Sequence, residues 1–248
     1  MALVHALPLV FQNEKYRFTV FPVVLEQDGK LLMIDCGYSG FLPQIEAEMA
    51  KAGLAMERLS KLVITHHDHD HMGAAREIAE RYPTVEVLAS PEQVPYITGR
   101  KKSLRLEQAE RMQDSLPEEG KADGLEFQRI IASVKPVAEA TALTAGEILP
   151  WCGGVEILDT SGHMPGHISL YVAGEKTLVT GDALVVDDGK LCMAMPQYLL
   201  DPPTARTSVK RLLDYDVDKV ICYHGGVYEG GVREALQAIV DDFPCDGA

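Results

Sequence analysis

No two cysteines in this sequence stand in C-x-x-C spacing. Cys36, Cys152, Cys192, Cys222 and Cys245 are scattered and odd in number, which argues against a disulfide framework and against a cysteine-based structural zinc site. Reduced thiols make the cytoplasm the expected compartment. Positive charge is also scarce, with 23 Lys+Arg against 37 Asp+Glu and a formal net charge of −14. Such a chain repels phosphate backbones and anionic lipid alike, so neither nucleic acid nor a membrane is expected as partner, and a small-molecule substrate is. No stretch approaches transmembrane length. The apolar residues 2–10 include His5 and Pro8 and lack the basic flank and small-residue cleavage site of a signal peptide. No Pro/Gly/Ser-rich linker divides the 248 residues, so a single domain, 1–248, is expected. None of these features bears on oligomeric state.

One thing is present in excess. Residues 65–73 read T-H-H-D-H-D-H-M-G, placing His66, His67, Asp68, His69, Asp70 and His71 consecutively. Six ionisable side chains in a row make poor core, because burying unpaired polar groups costs several kcal/mol each, on the order of 2–7. A solvated loop does not call for four imidazoles. Histidine with carboxylate is the usual ligand set for zinc and similar divalent ions. Upstream, the apolar Leu62, Val63 and Ile64 read as a buried strand; downstream, 74–81 read as a helix. Strand, ligand-rich loop, helix is how an open α/β sheet presents chemistry.

The rest of the chain reads as two similar halves around an insertion. In the first, strands are expected over 18–25 and 30–34 around the Gln27-Asp28-Gly29 turn, then a helix over 43–52 ending at Gly53, and strands at 62–64 and 85–89. In the second, strands are expected at 154–158, 168–172, 176–180 and 219–222, and helices at 203–213 and 232–240. Interleaved strands and helices define an α/β class. Residues 91–140 are rich in charge and helix formers and read as a helical insertion over the site, with an acidic turn at Pro117-Glu118-Glu119-Gly120. Its basic cluster Arg100, Lys101, Lys102 and Arg105 reads as a solvated charged face.

Three more ligand-type signals fall at strand ends. The first is D-T-S-G-H-M-P-G-H over 159–167, whose small residues allow a tight loop that aims His163; His167 is either a supporting partner or a satisfied polar residue. The second is Asp182 after Thr180-Gly181, and the third His224 between Tyr223 and Gly225. Each signal is weak alone. Together with the His/Asp run, they bring ligand types to one sheet edge from four loops.

On these motifs the chain resembles the metallo-β-lactamase-fold hydrolases, whose pattern is H-x-H-x-D-H, a His in a G-H-x-P-G loop, an Asp in T-G-D and a late His before glycine. Asp35-Cys36-Gly37 resembles the family's early D-x-G turn, and the match runs through essentially the whole chain. The resemblance implies a four-layer αβ/βα sandwich and two divalent metal ions. It also implies a role for each residue: His66, Asp68 and His163 at one ion, Asp70, His71 and His224 at the other, Asp182 bridging. One position departs: Asp68 stands where the family has its second histidine, giving H-x-D-x-D-H. A register through His67, His69 and His71 would also align three imidazoles but loses the D-H pair. Zinc is the family's usual metal, and the harder carboxylate donor makes Mn²⁺ or Fe²⁺ more credible here.

The chemistry implied is metal-dependent hydrolysis of a small carbonyl substrate, a lactone, ester or thioester, by a hydroxide generated between two ions. Asp70 is the carboxylate expected to orient the nucleophile and move its proton, and Tyr223 or Tyr198 is a candidate for oxyanion support. The thioesterases of glutathione metabolism are similar in their H-H-x-x-D-H run, but they carry a C-terminal glutathione-binding region, which a chain ending soon after Asp241-Asp242-Phe243-Pro244 is expected to lack. The alternatives are a metal-bound ligand-binding or sensor protein on the same fold, and an iron-dependent oxidoreductase of the flavodiiron-like branch, which needs an FMN module that this sequence is not expected to supply.

Overall fold

A computed structural model describes residues 3–13 and 16–242. The apolar N-terminal stretch forms two strands, β1 (Leu3–Ala6) and β2 (Leu9–Gln12). The single strand expected over 18–25 is two: β3 (Arg17–Val20) and β4 (Val23–Gln27). Pro22 is the reason, since it has no N–H to place in a ladder. Breaking there lets β3 pair with β2 while β4 joins β1 and β5 (Lys30–Ile34). The β4–β5 hairpin turns through Asp28 and Gly29, both at positive φ (49° and 77°), as a tight two-residue turn requires.

Beyond β5, helix α1 (Leu42–Lys51) leads to β6 (Leu59–Val63), α2 (Ala75–Arg81) to β7 (Glu86–Ala89), and the insertion supplies α3 (Val94–Ile97), α4 (Leu104–Met112) and α5 (Glu118–Ser133) before β8 (Thr141–Ala142). The second half contains β9 (Ile148–Leu149), β10 (Val155–Asp159), β11 (Ile168–Val172), β12 (Thr177–Val179), the small hairpin β13 (Val185–Asp187) and β14 (Lys190–Cys192), α6 (Pro202–Arg211), β15 (Lys219–Cys222), β16 (Gly226–Glu229) and α7 (Val232–Asp241). Two six-stranded sheets result, ordered β1-β4-β5-β6-β7-β8 and β16-β15-β12-β11-β10-β9. Pairing is parallel from β5 through β8 and between β12 and β15.

The layering follows from the period of two in a strand. Leu31 and Met33 of β5 face a core shared with Ile45 and Met49 of α1 and Ile78 of α2, while Leu32 and Ile34 face the opposite way. There they meet Ile157, Leu170, Val179 and Ile221 of the second sheet. That sheet's far side, with Leu178, Val220 and Cys222, packs on Val209 of α6 and Leu236 of α7. Helices, sheet, sheet and helices therefore stack around three apolar layers, an αβ/βα arrangement. The expected acidic turn at 117–120 is instead the start of α5, with Glu118 and Glu119 in the first turn, where the helix dipole favours negative charge. Among the described residues no helix is long and apolar enough to cross a membrane. Cys245 lies outside the described residues; the other four cysteines are free thiols.

Candidate metal centre

The loops that leave β5, β6, β10, β12 and β15 converge at one edge of the sandwich, and their side chains enclose a polar pocket between apolar layers. The His/Asp run is a buried loop with no room to relax. A Cβ on Gly73 would stand 2.4 Å from the Ser39 nitrogen and 2.5 Å from the His69 carbonyl, so only glycine lets the run tuck under the 35–41 loop. Asp35 organises the entrance: its carboxylate accepts from the Thr65 N–H (2.8 Å), the Thr65 hydroxyl (2.8 Å) and His71 Nδ1 (2.8 Å). Because Thr65 Oγ1 donates to Asp35, it accepts from His66 Nδ1 (3.1 Å). Both imidazoles thus hold a proton on Nδ1 and turn Nε2 inward, the atom that a neutral ring offers to a metal.

Those Nε2 atoms have no hydrogen bond within the protein. His66 Nε2, His71 Nε2 and Asp182 Oδ1 are buried atoms without a hydrogen bond, and buried polar atoms are rarely left so. They converge: His71 Nε2 is 3.2 Å from Asp182 Oδ1, His224 Nε2 is 3.5 Å from the same oxygen and 3.2 Å from Asp70 Oδ2, and His66 Nε2 is 3.4 Å from Asp68 Oδ2. Ligands ~2.0 Å from a tetrahedral ion stand about 3.3 Å from one another. Among the described residues three donor groups hold their ligand atoms within 4.8 Å of one another, His66–Asp68–His163, His66–His71–Asp182 and Asp70–His71–His224. The residues present fit a divalent cation.

The electrostatics say the same. Burial opposes charge on Asp70, Asp182 and His71, yet mutual attraction wins: the neighbouring imidazoles, His71 first, hold the Asp70 and Asp182 carboxyls below the usual carboxylate range, and Asp182, Asp35 and Asp70 raise His71 well above ordinary histidine. His224 is likewise pushed up to about 10, chiefly by Asp182 against the burial effect. His66, where burial and the His71 charge act together, falls to about 4. A cluster that retains protons on imidazoles at neutral pH is one in which a cation would replace them.

All of His66, Asp68, Asp70, His71, His163, Asp182 and His224 are brought into this pocket. His67 and His69 are not part of the donor groups. His67 bonds Gln93 Oε1 through its N–H and Nδ1 (2.8 and 2.6 Å), accepts from the Leu104 N–H at Nε2 (3.1 Å) and stacks on Tyr96, which docks the insertion onto the loop. His69 lies 3.5 Å from Asp70 Oδ1. His167 is a supporting partner: fully buried, it meets Thr160 Oγ1 and accepts from the Asp182 N–H at 3.1 Å. Gly181, at φ +51°, packs where a Cβ would come within 2.8 Å of His167.

Two expectations need correction. Tyr223 cannot serve an oxyanion, because its hydroxyl donates to the Asp70 carbonyl and accepts from the Gly37 N–H; Tyr198 sits exposed and gives its backbone carbonyl to Arg105. The basic cluster is not uniformly solvated. Arg105 is 4% exposed and reaches from α4 to Asp68, Nη2 to Oδ2 at 2.8 Å and Nε to both oxygens at 3.1–3.2 Å. Its attraction, the largest opposing burial and ahead of that of His163 and His66, keeps the Asp68 carboxyl well below the usual range.

The family profile described as the metallo-beta-lactamase superfamily matches residues 16–224. The chain belongs to this superfamily. It is 28% identical over 188 residues to the probable metallo-hydrolase YflN of Bacillus subtilis (strain 168), covering 68% of this chain and 65% of that protein. A hydroxyacylglutathione hydrolase of Alkalilimnicola ehrlichii is 27% identical over 156 residues, 62% of this chain and 44% of that protein. The chain thus spans less than two thirds of each of these relatives. Among solved structures, a metallo-beta-lactamase family protein of Thermus thermophilus, TTHA1429, superposes with a TM-score of 0.73 at 22% identity, over 96% of this chain and 78% of that one. TTHA1623, solved in a di-iron-bound form, gives 0.63 at 21% identity over 92% and 96%. These likenesses show the fold.

Proposed function

We propose that this superfamily member is a metal-dependent hydrolase acting on a small carbonyl substrate, a lactone, ester or thioester. One observation carries the reading: His66 Nε2, His71 Nε2 and Asp182 Oδ1 are buried, unpartnered and converging. Relatives named as metallo-hydrolases and hydroxyacylglutathione hydrolases support it. The donors divide into an Asp70–His71–His224 end and a His66–Asp68–His163 end with Asp182 between, and the reading needs an ion at only one of them. A divalent ion bound there supplies Lewis acidity and lowers the pKa of a water toward neutrality.

The chain's own groups supply the rest. Asp70 points Oδ2 at His224 and Oδ1 toward His69, so it can orient a water and hold the proton that water gives up, with His69 beside it. Asp35 and Thr65 hold His71 and His66 by Nδ1, which keeps each Nε2 turned inward. A cleft of about 210 Å³ adjoins His67 and His69, walled by Met72, Tyr96 and Leu106 with Lys101 and Lys102. Zinc suits the imidazole-rich end; Asp68, already neutralised by Arg105, no longer argues for a harder ion.

The test is a panel of lactone, ester, thioester, phosphodiester and β-lactam substrates offered to metal-replete protein. Turnover of an acyl substrate is expected. Binding without turnover of any member would contradict the hydrolase reading and favour a sensor.

A further inference from the structure

Arg105 is built into the Asp68–His163 end of the pocket. Its Nη2 lies 2.8 Å from Asp68 Oδ2, 3.0 Å from His163 Nε2 and 3.1 Å from the Tyr198 carbonyl, and Nη1 is held by Gln108 Oε1 at 2.6 Å. Four protein groups therefore fix a guanidinium that is 4% exposed. Asp68 and His163 are two of the three donors at their end of the pocket. Arginine only donates and does not lose its proton in proteins. A neutral imidazole nitrogen has one lone pair, and His163 Nε2 either spends it on Arg105 or carries a proton toward Asp68 Oδ2 at 3.1 Å. In both cases it already has a partner, and Asp68 already has its counter-charge.

The contrast with the His66–His71–Asp182 group, which shares His66 with that end, is direct. His66 Nε2, His71 Nε2 and Asp182 Oδ1 are buried and unpartnered, whereas neither His163 Nε2 nor the Asp68 carboxylate is. We infer that Arg105 is a resident cation that replaces one metal ion, so that the protein binds a single divalent ion at the His66–His71–Asp182 side, with Asp70 and His224 beside it. The Asp68 substitution and Arg105 then make one change: an imidazole that would share an ion is exchanged for a carboxylate that pairs with a guanidinium. A second ion would have to displace a bidentate, buried Arg–carboxylate pair or sit against its positive charge, and both are costly.

This inference rests on the metal-dependent reading, and its test is stoichiometry rather than turnover. Wild-type protein and the Arg105→Met and Arg105→Lys variants are loaded with excess Zn²⁺, freed of loose metal by gel filtration and measured by elemental analysis, with circular dichroism as the check on folding. The expected result is about one ion per chain for the wild type and Arg105→Lys, and about two for Arg105→Met, whose freed Asp68 and His163 accept the second. Two tightly held ions in the wild type would overturn the inference while leaving the metal-dependent reading intact. One ion in a folded Arg105→Met would also overturn it, since Arg105 would then not be what limits the count. No ion in the wild type would overturn the broader reading with it. Should Arg105→Met fail to fold, a Co²⁺ titration of the wild type followed by its visible absorption decides: saturation at one equivalent supports the inference, and at two equivalents contradicts it.

Discussion

Asp70 and Asp182 are both buried carboxylates ringed by imidazoles, but they differ in reach. Asp182 lies 3.2 Å from His71, 3.5 Å from His224 and 3.6 Å from His163, so it touches every donor group in the pocket. Asp70 meets His224 at 3.2 Å and His71 at 3.8 Å through Oδ2 and, at its other oxygen, His69. Asp182→Asn is therefore expected to lower metal content and activity together. Asp70→Asn keeps shape and loses basicity; its kcat should fall by roughly 10²-fold on proton-transfer grounds while most of the metal remains. Metal content and kinetics on the same preparations distinguish the two, and near-normal kcat with full metal in Asp70→Asn would remove Asp70 from the proton path.

At the scale of elements, the 66–71 loop is braced by the insertion. Gln93, fully buried just before α3, accepts from the His67 backbone N–H and ring at Oε1 and donates from Nε2 to the Pro165 carbonyl at 2.6 Å. One amide thus ties the 66–71 loop to the 160–167 loop. Gln93→Ala strands these buried partners and should destabilise the protein by ~2 kcal/mol or more, read as a lowered denaturant midpoint with unchanged slope; an unchanged midpoint would mean the brace is not needed. The 66–71 loop and its strand-end partners were legible in the sequence as a candidate site because His and Asp have few other reasons to cluster at strand ends. The layers were legible only through the family resemblance; the burial of Leu31 to Ile34 on both faces is what the structure adds. The brace and Arg105 were not, because their partners are far along the chain: Arg105 stands 37 residues from Asp68 and 58 from His163. Arginine beside Lys101 and Lys102 looks like a solvated charge until α4 turns it inward. The break at Pro22 was visible as a proline, but only the pairing of Val20 with Leu9 and of Val23 with Ile34 shows why the strand divides there.

For the molecule as a whole, the pocket ties stability to pH and to metal. His71 and His224 have raised pKa values in the cation-free protein, His224 to about 10, so their contribution is fully present below the unfolded value of about 6.5 and lost as pH climbs toward 10. His66, lowered to about 4, and His67 and His167, also lowered, act in the other direction and remove stability as pH falls below about 6.5. Metal-free protein should therefore have its highest Tm near pH 6.5 and lose stability toward pH 10. With a divalent ion in place of the protons on His71 and His224, that alkaline decline should flatten, and thermal melts of both forms across pH 6–10 check it. The central claim, that these buried donors exist to hold a catalytic ion, is tested most directly by stripping the protein with a chelator and titrating the metal back while hydrolysis of the best panel substrate is followed. Activity lost with the ion and regained in proportion to the metal bound is the predicted result; hydrolysis that persists in metal-free protein, or no binding of a transition metal above background, would contradict it.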